Sequence, residues 1–213
     1  MENVLESPLE VAERLRGGML EGCVVERVDL AGRDFSAARI DHVRFSQSNL
    51  SGVSLDGASA SGAHFTGCQI KGLRIPAAFL RDTNFMTCHG MELHGRGAVL
   101  DRVGFYNTPL SNADFEGVRL SDVTFQSSDL YNAVFNGALL NRCRFSDPNM
   151  GAASLNRSTF VRAMFIECDL AGAILLGVDL TDAILLRCDL KGAVLQGARL
   201  EGTRFIACTG APK

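Results

Sequence analysis

Apolar residues recur along this chain at every fifth position. From Val25 to Phe205, 34 of the 37 positions in this register hold Val, Ile, Leu, Met or Phe. Twelve of the thirteen phenylalanines share the register, and Phe79 is the exception. A period of five fits neither a helix with 3.6 residues per turn nor a strand with alternating sides. The pattern therefore predicts a repeated unit made of a short extended segment and a turn.

A second set of inward positions lies two residues before each central apolar residue. Ala is the commonest residue in it, with Val, Thr and Ser elsewhere. All seven cysteines occupy this set: Cys23, Cys68, Cys88, Cys143, Cys168, Cys188 and Cys208. The spacing favours small buried side chains over redox or metal chemistry, and the odd count favours reduced thiols in a cytoplasmic protein.

Several five-residue units begin with a small residue, followed by Asp and then by Leu or Phe. Examples are ADFEG at 113–117, SDLYN at 128–132 and CDLKG at 188–192. Over roughly residues 21–208 the chain resembles the pentapeptide-repeat family. The resemblance implies an all-β fold, a right-handed quadrilateral β-helix with about twenty residues per coil and about nine coils.

With that coil length, residues twenty positions apart stack on each other. One column is rich in phenylalanine and is predicted to form the structural core: Phe45, Phe65, Phe85, Phe105, Phe125, Phe145, Phe165 and Phe205. Burial of these large side chains explains folding without leaving an interior cavity for a substrate.

The N-terminus supplies a cap for the first coil. Ser7 and Glu10 flank Pro8 in a capping-box pattern, and two glycines follow Arg16, so a short helix from about Pro8 to Arg16 is expected. Its Leu9, Ala12 and Leu15 would cover the coil. The predicted organisation is a cap at 1–20, the repeat at 21–208 and a tail at 209–213.

In the last coils, five positions that flank the centres of the phenylalanine column should point outward but hold apolar residues. They are Met164, Ile166, Ile184, Leu186 and Ile206. An apolar stripe of this kind usually marks an interface, so it is predicted to mediate self-association, as a homodimer, or the docking of a partner.

The register is most disturbed at residues 86–98, where Gly90 and Gly95 take central positions. A bulge is expected there, with Phe79, His89, Met91 and His94 as a candidate partner-binding surface. A metal site is disfavoured because the two histidines fall on adjacent faces and Cys88 points inward.

Composition excludes several classes of protein. The net charge is −3, the first residues carry acids instead of a basic signal region, and no apolar run approaches the ~20 residues of a membrane span. We therefore expect a cytoplasmic protein that contacts neither membrane nor nucleic acid directly. Motifs for nucleophilic, nucleotide or zinc chemistry are missing from the sequence, so no enzyme activity and no cofactor are predicted.

Two functions remain. The first is a non-catalytic scaffold or adaptor for protein–protein interaction. The second is implied by the resemblance: mimicry of DNA toward gyrase or topoisomerase IV, which gives resistance to quinolone-type poisons. Residues 28–213 hold 18 acidic and 18 basic residues, whereas duplex DNA carries one charge per ~1.7 Å. An acidic column of Asp29, Asp129, Asp169 and Asp189 is interrupted by uncharged residues, so the scaffold is preferred.

Overall fold

The structure, a computed structural model, describes residues 3–212 as one helix and nineteen short strands. In chain order they are β1 (Asn3–Leu5), α1 (Pro8–Arg16), β2 (Met19–Glu21), β3 (Cys23–Glu26), β4 (Arg39–Asp41), β5 (Arg44–Ser46), β6 (Ser59–Ser61), β7 (His64–Thr66), β8 (Phe79–Arg81), β9 (Asn84–Met86), β10 (Val99–Asp101), β11 (Gly104–Tyr106), β12 (Arg119–Ser121), β13 (Thr124–Gln126), β14 (Leu139–Asn141), β15 (Arg144–Ser146), β16 (Thr159–Val161), β17 (Met164–Ile166), β18 (Ile184–Leu186) and β19 (Arg204–Ile206).

These strands form a parallel β-solenoid with four walls. We number the walls in the order in which the chain passes through them. Wall 1 is the eight-stranded sheet of β2, β4, β6, β8, β10, β12, β14 and β16; wall 2 is the eleven-stranded sheet of β1, β3, β5, β7, β9, β11, β13, β15, β17, β18 and β19. Walls 3 and 4 are ladders of isolated parallel bridges. On wall 3 the bridges run from Asp29 to His89 and from Asn149 to Thr209, and on wall 4 they run from Asp34 to Val194.

Residues pair with those twenty positions away, as Phe105 pairs with Phe125 and Leu100 with Leu120. The predicted period and stacking are therefore confirmed. The solenoid has about 10 turns, against the nine expected, because β1 adds a first rung in register with β3.

Each five-residue unit divides its side chains in the same way. The central residue and the one two positions before it point inward, the two neighbours of the central residue point outward, and the next residue turns the corner. Many of these corner residues have a positive φ. Glycine suits that conformation, as at Gly117 with φ 63°, but Asp82 and Arg102 also adopt it, with φ 49° and 54°. The corners therefore do not depend on glycine alone.

The core contains the predicted column of stacked rings along wall 2. From Phe45 to Phe165, successive ring centroids are 4.6–5.1 Å apart and the rings lie within 10° of parallel. Leu185 then interrupts the column, and Phe205 in the last turn is only partly buried. A second, shorter stack joins Phe115 to Phe135 on wall 4 and contacts the first column edge to face.

The expected bulge at residues 86–98 does not form. His89 bridges Gln69, His94 bridges both Arg74 and Asp114, and the backbone keeps the repeat. Neighbouring side chains occupy the space that the two central glycines leave. A Cβ on Gly90 would lie 3.1 Å from Ile70 Cδ1 and from Leu110 Cδ2, and one on Gly95 would lie 3.1 Å from Phe115 Cδ1. Larger neighbours thus compensate for the two missing side chains.

Helix α1 covers the first turns as the sequence predicts, with one correction. Ser7 caps the helix, and its Oγ accepts a hydrogen bond from the Glu10 N–H at 3.3 Å. The inward face consists of Val11, Ala12 and Leu15. The predicted contact of Leu9 is wrong, since this side chain is 60% exposed. At about 100° per residue, Leu15 lies between Val11 and Ala12 around the helix axis, whereas Leu9 lies outside that arc and faces solvent.

None of the helices within residues 3–212 is long and apolar enough to cross a membrane.

Candidate protein-binding surfaces

The five stripe residues lie together on the outer side of wall 2. Met164 pairs with Ile184, and Ile166 pairs with Leu186, which pairs in turn with Ile206. Between them the inward residues Phe165 and Leu185 are buried. The first four side chains are half-buried and Ile206 is 37% exposed. We call this surface, formed by Met164, Ile166, Ile184, Leu186 and Ile206, the apolar stripe.

Polar residues border the apolar stripe. Arg144 precedes Met164 in one column, and Arg204 follows Ile184 in the same column. At the corner beside the stripe, Arg187 Nη2 lies 2.6 Å from Glu167 Oε1. An apolar centre with a charged rim is the usual composition of a protein–protein interface.

A second apolar patch lies on wall 4 in the same turns. Its residues are Ile174, Leu176 and Val194, which are 38%, 37% and 42% exposed. We call them the wall-4 patch. The sequence interpretation missed it, although the same signal was present: these residues flank the central positions Leu175 and Leu195 and should be polar. Walls 2 and 4 lie on opposite sides of the coil, so the last turns present two apolar surfaces.

The four residues expected to form a surface around residues 86–98 are exposed but not adjacent. Phe79 lies on wall 1, where the Arg81 guanidinium carbon is 5.3 Å from its ring centroid. His89 and Met91 lie on wall 3, and His94 lies on wall 4. Phe79 therefore faces away from His89 and Met91, and the four do not make one binding site.

The acidic column on wall 3 stabilises turns. The side-chain oxygens of six residues in this column accept hydrogen bonds of 3.0–3.1 Å from the backbone N–H two positions later: Asp29, Asn49, Asp129, Asn149, Asp169 and Asp189. Asp and Asn accept this hydrogen bond equally well, which explains why both occur in the column.

Other carboxylates pair with arginines one turn away. Arg102 donates two hydrogen bonds to Asp82, at 2.6 and 2.9 Å, and Arg142 donates two to Asp122, at 2.8 and 2.6 Å. These hydrogen bonds hold the pKa of both carboxyl groups below the usual range. The acids are thus neutralised within the chain instead of forming a continuous negative surface.

The cysteines have structural positions. Cys68 Sγ lies 3.5 Å from the carbonyl oxygens of Phe45 and Thr66, and Ser128 Oγ donates to the equivalent carbonyls. Burial raises the pKa of Cys143 to about 12, so this thiol is protonated at neutral pH. Across residues 3–212, His, Cys, Asp and Glu side chains form no group of three or more that could hold a metal ion.

Comparison with known families agrees with this geometry. Residues 98–175 match the pentapeptide repeat region family, and residues 48–86 and 173–209 match pentapeptide repeats. The chain belongs to the pentapeptide-repeat proteins. A search among curated proteins finds no match.

Two solved structures resemble the chain over most of its length. HetL, a pentapeptide repeat protein involved in heterocyst differentiation regulation in the cyanobacterium Nostoc sp. strain PCC 7120, is 23% identical, with 94% of each chain covered and a TM-score of 0.56. QnrB1, a plasmid-mediated fluoroquinolone resistance protein, is 22% identical, with 83% of this chain and 92% of its own covered and a TM-score of 0.56. At these identities the likeness establishes the fold alone.

Proposed function

We propose that this chain is a non-catalytic scaffold for protein–protein interaction and that it forms a homodimer through its C-terminal coils. The observation that carries the proposal is the apolar stripe, since its side chains point away from a core that is already filled. A two-fold dimer would bury the stripe of both copies at once. Stacked side chains fill the interior, which leaves the walls as the surfaces that can bind.

The composition of the stripe suits a stable contact. Its five side chains are aliphatic or Met, lie on adjacent strands and form a continuous surface. Removing such groups from water contributes roughly 25 cal/mol per Å². The rim residues Arg144, Arg204, Glu167 and Arg187 can remain solvated while the centre is buried, and they would set the orientation of the partner.

Replacing Ile184 by Asp together with Leu186 by Lys is expected to convert the dimer to a monomer. Both new side chains would place charges at the centre of the contact without entering the core. The mass in solution should be measured by light scattering, with circular dichroism to verify the β-structure. The matched control is Thr124→Asp with Gln126→Lys, which makes the same change at the equivalent outward positions of β13, three turns away. If the double variant at 184 and 186 has the same mass in solution as the unmodified protein, the apolar stripe is not the dimer interface.

Binding to a type II topoisomerase is the second candidate. The fold shared with QnrB1 favours it, whereas the paired carboxylates at Asp82 and Asp122 and the neutral body do not. A gyrase supercoiling assay with a quinolone separates the two functions. We expect neither inhibition nor drug protection at low micromolar protein. Drug protection by the unmodified protein that is lost on neutralising the acidic column would establish the topoisomerase function and refute the scaffold as its sole role.

A further inference from the structure

Three cysteines are stacked on consecutive turns at the corner between walls 2 and 3. Asp189 and Thr209, the residues that follow Cys188 and Cys208, form a parallel bridge. The Thr209 N–H donates to the Cys188 carbonyl at 3.0 Å, and the Leu190 N–H donates to the Thr209 carbonyl at 2.8 Å. Paired residues on neighbouring strands have Cα atoms about 4.8 Å apart, within the 4.4–6.8 Å range that a disulfide spans. Cys168 occupies the same position one turn earlier.

We propose that Cys188 and Cys208 are an oxidative modification site, at which hydrogen peroxide closes a disulfide between the last two turns. This proposal is independent of the scaffold function.

Packing distinguishes this pair from the other stacked cysteines. The turn that carries Cys208 is covered on one side only, since its inward residues Leu195, Leu200 and Phe205 are partly exposed, as is Cys208 itself. Closing the bond requires the Cβ atoms to approach to about 3.8 Å, less than the rung spacing. The last turn can make that movement. Cys68 and Cys88 are stacked in the same column but are fully buried between packed turns. That packing opposes the approach of the two Cβ atoms and prevents oxidant from reaching the thiols.

The two thiols have different roles in the reaction. Cys208 is the one that oxidant reaches. Cys188 lies one turn earlier in the same column, with Cys168 on its other side. A sulfenic acid condenses with a neighbouring thiol to form a disulfide. Cys188 is therefore suited to resolve an oxidised Cys208.

The chemistry balances in two steps. The Cys208 thiol reacts with hydrogen peroxide to give a sulfenic acid and one water. Cys188 sulfur then attacks Cys208 sulfur; the S–S bond forms, the S–O bond breaks, and the departing hydroxide takes the Cys188 proton as a second water. Two thiols are oxidised by two electrons in total, and one peroxide is reduced to two waters.

The test treats the reduced, full-length protein with a few equivalents of hydrogen peroxide, alkylates the remaining thiols and maps tryptic peptides without reduction. Trypsin places the two cysteines in separate peptides, residues 188–191 and 205–213, each with a single cysteine. We expect this linked pair, lighter by two hydrogen atoms, in at least about tenfold excess over any link between Cys68 and Cys88. Cys188→Ser should abolish the link and leave Cys208 as a sulfenic acid that dimedone traps.

Cys88→Ser is the matched control, since it removes one thiol of the buried pair and should leave the 188–208 link unchanged. The proposal is overturned if Cys188 and Cys208 remain alkylated after a treatment that oxidises glutathione in the same tube. It is also overturned if the two pairs link to equal extents, because the last turn would then have no special reactivity.

Discussion

Replacing Phe125 by alanine is expected to lower the free energy of unfolding by about 3–5 kcal/mol. The side chain is fully buried, and its ring stacks on Phe105 at 5.1 Å and on Phe145 at 5.0 Å. The edges of Phe115 and Phe135 contact it from wall 4 at 6.0 and 6.1 Å. Each neighbour is held in its own stack by backbone pairing every turn, so none can move into the space. A cavity therefore remains.

Urea unfolding followed by circular dichroism measures this change in the free energy of unfolding. Two control substitutions are expected to cost less than Phe125→Ala. Phe125→Leu should cost less than about 1.5 kcal/mol, because leucine occupies the same column at Leu185 and leaves a smaller gap. Cys143→Ala, which removes one buried thiol, should cost about 1 kcal/mol and leave binding unchanged. A loss for Phe125→Ala no larger than that for Cys143→Ala would show that the column relaxes around a missing ring.

Gly95→Leu is expected to destabilise the chain by about 1–3 kcal/mol, although leucine is the usual residue at central positions. A Cβ on Gly95 would lie 3.1 Å from Phe115 Cδ1 and 3.4 Å from both Leu93 Cδ2 and the Asp114 carbonyl oxygen. A full leucine side chain would have to share the space that the Phe115 ring already fills. The measurement is again urea unfolding.

The double variant Gly95→Leu with Phe115→Leu tests the cause. If Phe115 fills the gap left by Gly95, a smaller residue at 115 should recover part of the loss, and the double-mutant cycle should show a favourable coupling. Stabilisation by Gly95→Leu alone would mean that the space beside Gly95 is empty and that the compensation described above is wrong.

The fold was predictable because the five-residue period determines which side chains point inward. Features that do not follow from the five-residue period could not be predicted in this way. Strand β1 was missed because α1 separates it from the repeat, although Leu5 lies in the register, twenty positions before Val25. The bulge at Gly90 and Gly95 was expected from those two positions alone. The filling side chains lie on neighbouring turns, Ile70 one turn earlier and Leu110 and Phe115 one turn later, so only the stacked structure shows that they compensate.

The surfaces, too, were predictable only where the five-residue rule was applied to every wall. The apolar stripe was found because Ile184 and Leu186 violate the outward rule, and the structure places them outward on one wall. The wall-4 patch violates the rule at Ile174 and Leu176 in the same way but was not singled out. Phe79 was grouped with His89 because it points outward one coil before Val99 on the same face, whereas the chain passes through two corners between Phe79 and His89.

The mass of the unmodified protein in solution tests the central claim most directly. Sedimentation velocity across a concentration series should show a species of twice the 22.9 kDa chain mass at tens of micromolar, dissociating on dilution. A single species of 22.9 kDa throughout that range would contradict self-association through the apolar stripe.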